Sequence, residues 1–223
     1  MSWWLFPPRT REDQFDEKWA FVGKKEKHCD TADEADAQQG DNWDHVVYDP
    51  EHRPVLCVVP GKRSLENVER VVNEFAQRTH RKKIELLTSD EYKAYKSSII
   101  NTYGETITPP HTGKPGHPKA PYILPPEDLT YATVHKTRKN GRVVKVDFRI
   151  VLGSDESLQQ ALENSAVSQQ VNIAFIERQN GTDRNRNARK TRKSYCFSKD
   201  WDMHERVTYF TIVYLQLLLA GEN

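Results

Sequence analysis

Three carboxylates stand where they could do chemistry together: Asp16 in "FDEKWAFVG", Asp90 directly after "IELLTS", and Glu177 in "FIERQNGTDRNRNARKTRK". Glu177 heads a run that holds one Asp and seven basic residues, Arg178, Arg184, Arg186, Arg189, Lys190, Arg192 and Lys193. On one reading Glu177 is an i,i+4 partner on a solvated helix; on another it holds a metal ion against a polyanion. Ligands collect at strand ends in an α/β sheet, and Asp16 and Asp90 each adjoin an apolar run that reads as a strand. With Glu177 on a helix crossing that sheet, the three would make an oxygen-ligand cluster. Mg²⁺ and Mn²⁺ prefer such ligands and bind through a few carboxylates plus substrate phosphates. Against this stands a blander reading: the chain has 32 acidic residues, and most carboxylates are solvated surface groups.

The bases behind Glu177 can neutralise phosphates, a salt-sensitive contribution that carries no sequence information. If the helix continues past Glu177, Asn180 and Arg184 share its face, although Asn180-Gly181 weakens that continuation. Histidine offers little: there is no HxxxH spacing among the eight, and His28 and His204 read as structural.

The elements that must position these groups follow from periodicity. Trp19 to Cys29 reads as a strand, with Asp16 at its mouth. Val46–Tyr48 and Val55–Val59 flank the turn "DPEHRP", giving an antiparallel meander. From Ser64 to His80, Leu65, Val68, Val71, Val72 and Phe75 recur at helical spacing behind a Ser64 cap. "KIELLTSD" is a short buried strand, and "EYKAYKSSIINTYG" a helix stopped at Gly104. The order βββαβα predicts a mixed sheet with helices on its faces. Pro109 to Pro126 then holds seven of the twelve prolines and reads as an extended arm. Asn140-Gly141 between two β-rich runs predicts a type I′ hairpin, rich in Lys136, Arg138, Lys139, Arg142 and Lys145, which could grip DNA or another subunit or simply be solvated. Helix returns from Ser154, with a break near Ser165, and Ser198 is a candidate cap for the last helix. The chain thus divides into a leader 1–15, a first core part 16–108, an inserted arm and hairpin 109–153, and a closing part 154–223.

Bulk properties set limits. The 223 residues suffice for one full domain with an insertion, and the net charge of +1 excludes a general polycation. Charge is nevertheless uneven: Asp30 to Asp44 holds six acids and no base, opposite in sign to the run behind Glu177. Three dispersed cysteines argue against a disulfide framework or a cysteine zinc site. The apolar run from Tyr209 to Ala220 is too short to span a bilayer, and the N-terminus lacks a signal-peptide pattern. A soluble intracellular protein is expected.

"DEKWAFVGKK", "TSDEYKAY" and above all "FIERQNGTDRNRNARKTRKSYCFSKDWDMHERV" resemble the insertion-sequence-1 family of DDE transposases, in the family order and from Asp16 to Tyr214. The resemblance implies a ribonuclease-H-like α/β fold and a catalytic, metal-binding triad of Asp16, Asp90 and Glu177. It implies two Mg²⁺ or Mn²⁺ ions, DNA cleavage and strand transfer, and DNA partners comprising element ends and target. A homo-oligomer on DNA and a prokaryotic, nucleoid-associated cytoplasmic location are implied too, with no membrane. Asn180 and the seven bases are the expected DNA contacts. The chain departs from the family in two respects. Asp90 and Glu177 lie 87 positions apart, a gap that the arm and hairpin fill. Only fifteen residues precede Asp16, so an end-reading module is expected on a separate chain, or this copy is a truncated, non-catalytic DNA-binding remnant. A ribonuclease-H-like nuclease acting on another nucleic acid is a third reading.

Overall fold

In the computed structural model, residues 9–220 are described apart from 31, 83, 110–118 and 192. The centre is a six-stranded sheet made from β1 (Glu12–Val22), β2 (Gly40–Tyr48), β3 (Val55–Gly61), β4 (Leu86–Ser89), β7 (Thr130–Lys139) and β8 (Arg142–Leu152), in the order β3-β2-β1-β4-β7-β8. The pairs β1–β2, β2–β3 and β7–β8 are antiparallel, while β4 runs parallel to both β1 and β7. Helices α1 (Leu65–Arg78) and α2 (Lys93–Tyr103) cover one face; α3 (Asp155–Asn164), α4 (Ala174–Arg186) and α5 (Trp201–Ala220) cover the other. The expectation of a mixed α/β sheet flanked by helices therefore holds. No described helix is long and apolar enough to cross a membrane.

Each face has its own apolar layer. Phe15, Val47, Leu56, Val68, Val71, Phe75, Tyr95 and Ile99 pack together beneath α1 and α2, and Val46, Val58, Leu86, Ala132, Leu158, Ile176 and Ile212 beneath α3, α4 and α5. Local chemistry sets the helix ends. Ser64 Oγ accepts the Asn67 N–H at 3.3 Å, and Ser154 with Ser157 forms a reciprocal capping box. At Gly104 a Cβ would stand 2.5 Å from the carbonyls of Ile100 and Leu124, so only glycine admits the crossing of the chain there.

Four expectations need correction. β1 begins at Glu12, not Trp19, so Asp16 sits mid-strand. Gly23, at φ +68°, turns the chain out of the strand where the sequence reading continued it. The hairpin at Asn140 and Gly141, with φ of 51° and 76° as a type I′ turn requires, is not an appendage. Thr130–Thr133 pair with β4 inside the main sheet, and the hairpin is exposed from His135 outward. Residues 110–118 of the Pro-rich arm lie outside the described residues; the end of the arm supplies β6 (Tyr122–Leu124), which pairs with β5 (Glu105–Ile107) as a small separate sheet. Asp200, rather than Ser198, caps α5 through the Met203 N–H at 2.8 Å. Ser198 is buried and bonded to His204 Nδ1 at 2.8 Å.

Candidate active site

Strand alternation sorts the polar residues of β1 onto the two faces. Phe15 points into the layer under α1 and α2, whereas Gln14, Asp16 and Lys18 meet α4. Gln14 Oε1 accepts the Ile176 N–H at 3.0 Å, Asp16 Oδ2 accepts from Asn180 Nδ2 at 2.8 Å, and Lys18 contacts Asp183. Alternate residues of the strand thus meet one face of a helix running in the same direction, which fixes the helix's rotation and its slide along β1. The helix passes through Asn180-Gly181 unbroken; these contacts outweigh the roughly 1 kcal/mol propensity cost of the glycine.

That docking brings Glu177 to Asp16. The parallel register pairs Gln14 with Thr88, and carried two residues on it sets Asp16 level with Asp90 at the end of β4. Asp16 is pushed up to about 6, first by burial and then by the charge of Asp90, with Glu177 adding to it; the Asn180 and Glu17 hydrogen bonds act in the opposite sense. Asp16, on the strand, therefore feels the charge of both the strand-end acid Asp90 and the helix acid Glu177.

Each acid also meets a donor. Asn180 serves Asp16, and Lys136 Nζ on β7 donates to Glu177 Oε1 at 2.6 Å. Arg63 lies 3.4 Å from Asp90 Oδ2 and donates two N–H groups to Glu17 Oε2 at 3.1 and 2.8 Å. Its guanidinium lies over the rings of Trp43 and Tyr92, 5.0 and 4.1 Å from their centroids. Glu17, a fourth acid, is raised to about 7 by burial and by Asp90, against the lowering effect of Arg63 and Tyr95. Sequence reasoning missed Glu17 and Arg63. The only sequence signal for Glu17 is its place beside Asp16, and for Arg63 its place just before the Ser64 cap. Among the described residues, no three His, Cys, Asp or Glu side chains are gathered into a ready metal shell. The donor set is nonetheless that of a hard divalent cation, three carboxylates with too little positive charge among them. Glu177 is exposed, and its long side chain is free to exchange Lys136 for another cation.

The basic run separates by burial. Arg178, Arg186 and Lys193 are exposed, Arg184 and Arg189 are half-buried, and Arg192 lies outside the described residues. Lys190 cannot face a phosphate: it is buried and contacts Asp44. Asn180 is equally buried and is committed to Asp16. Both corrections have one cause, for a charge run in sequence carries no information about which members fold inward. Asp44 also pairs with Lys18 Nζ at 3.2 Å, and His204 joins the group through Asn42 Nδ2 at 2.9 Å. Lys190 and Lys18 hold the Asp44 carboxyl well below its usual range, while burial and Lys190 push Lys18 down to about 7. Reading His204 as structural agrees with this setting. Comparison with protein-family models and with curated proteins gives no match.

Proposed function

We propose that the chain is the catalytic domain of a DDE-type DNA transposase of the insertion-sequence-1 family, built on a ribonuclease-H-like fold. The observation that supports the reading is geometric: the parallel register sets Asp16 level with Asp90 at the end of β4, and the Gln14 and Asn180 hydrogen bonds dock the helix that carries Glu177 against the same strand. A sheet in which the first three strands are antiparallel and the next two run parallel to β1 is compatible with that fold.

Asp16, Asp90 and Glu177 would hold Mg²⁺ or Mn²⁺. When bound, a pair of such ions supplies Lewis-acid activation of the attacking oxygen and stabilisation of the leaving oxygen. The protein's own contribution is positional. Asn180 orients the Asp16 carboxylate, and the Gln14–Ile176 bond holds α4 so that Glu177 stays at the site. Arg63 restrains Glu17 beside Asp90, and exposed Arg178, Arg186 and Lys193 offer charge to a DNA backbone. Because Asp16 must be ionised to act as a ligand, activity should rise with pH through about 6, and metal binding moves that midpoint down.

The test is cleavage and strand transfer on duplex DNA bearing the element's ends, with Mg²⁺ or Mn²⁺, beside RNA–DNA hybrid and junction substrates. Metal-dependent DNA cleavage that is lost in Asp90→Ala and Glu177→Gln supports the reading. Equal activity in those variants contradicts it, and selective cleavage of hybrids points to a nuclease instead. A second reading, a DNA-binding remnant without catalysis, draws on the occupation of Glu177 by Lys136 and of Asp90 by Arg63. It requires metal-independent binding and no cleavage of any substrate.

A further inference from the structure

On the face covered by α1 and α2, the sheet runs on past the helices. α1 begins at Leu65, just after β3 ends at Gly61, and runs back over Phe15 and Val47. Opposite Gly61 lies Trp43, and opposite Trp43 lies Trp19. Strand alternation puts Phe21 on the same face, and the bridge of Val22 to Ser198 brings Phe197 beside it. The centroids of Trp19 and Phe21 are 5.8 Å apart and those of Phe21 and Phe197 4.7 Å apart. Trp43, Trp19, Phe21 and Phe197 thus form a row of half-buried rings. Apolar side chains would close such a row if it were one more end of the core, but cations stand over it instead. Lys25 Nζ is 5.9 and 6.0 Å from the Trp19 and Phe21 centroids, and Lys199 Nζ 2.9 Å from that of Phe197. Arg63, over Trp43 and Tyr92, carries the row on to Asp90. All three cations are exposed, as is Lys193 at the end of the basic run. Tyr195, between that run and Phe197, is 97% exposed. The acids at the margin are engaged: Glu26 pairs with Lys62 at 2.6 Å, and Asp41 accepts the Glu26 N–H at 3.2 Å.

We infer that this row is a platform for an unpaired DNA strand, with bases stacked on the rings and phosphates on the cations, leading to the candidate site at Asp90. A duplex hides its base faces within its own stack, so the rings offer it nothing. An unpaired strand presents a π-face with every base and a charge with every phosphate, and rings interleaved with cations match both. An arriving base displaces Lys25 or Lys199 from its ring. The flexible stem then leaves the ammonium group within reach of the strand's phosphates. Arg63 needs no displacement, because its planar guanidinium, held by Glu17, is itself a stacking surface. Stacking of this kind is indifferent to base sequence, so the platform takes any strand freed where a duplex opens. The inference rests on the reading of the neighbouring site as one for DNA, and it narrows the substrate there from intact duplex to duplex with an opened strand.

Anisotropy titrations of the full chain with a labelled strand of about 15 thymidines and with a duplex of equal length, both in EDTA at one salt concentration, provide the test. The wild type should bind the single strand more tightly, and the strand should quench its tryptophan fluorescence. Trp19→Ala with Trp43→Ala should weaken single-strand binding roughly tenfold and duplex binding less than about twofold, with native circular dichroism. Trp19→Phe with Trp43→Phe keeps the sheet intact where alanine disturbs it. In that pair the affinity should hold, since phenylalanine retains a π-face, while most of the quenching disappears. Phe210→Ala, on the 68%-exposed stripe of α5, should change neither. Equal or tighter binding of the duplex overturns the inference. So does an equal loss for both forms in the alanine pair, or quenching that survives in the phenylalanine pair. Binding of neither form overturns it too and leaves the row to a protein partner. The proposed activity is read separately: metal-dependent cleavage by a protein without single-strand preference breaks this inference alone, and a preference without cleavage breaks the activity alone.

Discussion

Asp16 and Lys18 are neighbours on one face of one strand, and both meet α4, yet they belong to opposite kinds of site. Around Lys18, two lysines and two aspartates with His204 alongside are closed off from solvent, and positive and negative charge nearly balance. Around Asp16, carboxylates outnumber their cations and the spot is half open. A balanced, buried network of this kind holds elements in place: Lys18, Asp44 and Lys190 tie β1 and β2 to the segment that follows α4. An unbalanced cluster at a strand end has an unmet need for positive charge. Net charge and access, rather than the mere presence of ionisable groups, separate the two.

The largest expected effect tests the closed end. Lys190→Met leaves Asp44 buried with part of its compensation gone, and should destabilise the fold by about 3–5 kcal/mol in denaturant unfolding. A stable Lys190→Met protein with weakened DNA binding would instead return Lys190 to the phosphate contacts. At the open end, Asn180→Ala should cost about 10–100-fold in metal affinity or turnover, as removal of a carboxylate's orienting partner does elsewhere. The loss should come with little change in protein–DNA affinity, measured by anisotropy.

Stability at the open end should move the other way. The Asp16 carboxyl holds its proton up to about 6 in the fold, against 3.8 for the free group. That extra affinity stabilises the fold fully below 3.8 and is lost as pH rises through 6, so at neutral pH the ionised group opposes folding. Asp16→Asn should therefore be more stable than wild type by about 1–2 kcal/mol at pH 7.5, with the gain vanishing toward pH 4. A thermal-unfolding series across that range reads it directly. The smallest effect belongs to the surface: Arg186→Ala should reduce the salt slope of DNA binding by about one phosphate contact and leave unfolding unchanged.

The periodic elements were the legible ones. Val68, Val71, Val72 and Phe75 announce α1 by their spacing, and Asn140-Gly141 announces its turn, because local geometry decides both. β1 was misplaced because Gln14, Asp16, Glu17 and Lys18 break any apolar alternation. They face side chains supplied by Asn180, Arg63 and Asp183, up to 165 positions away in the chain. Such pairings leave no local mark. The same holds for Lys190, whose partner Asp44 ends the acidic stretch that the sequence marks only as opposite in sign to the basic run. Of the hairpin, the turn was visible but not the role: Thr130–Thr133 carry no signal that they complete the sheet beside β4.

Direct measurement of Mn²⁺ binding, by electron paramagnetic resonance of the free ion at pH 7.5, tests the central contrast most closely. The account predicts saturable binding by the wild type that is lost in Asp16→Asn and Glu177→Gln and retained when Lys18, at the balanced end, is changed to Met in a protein still folded. Equal Mn²⁺ binding by wild type, Asp16→Asn and Glu177→Gln would contradict it.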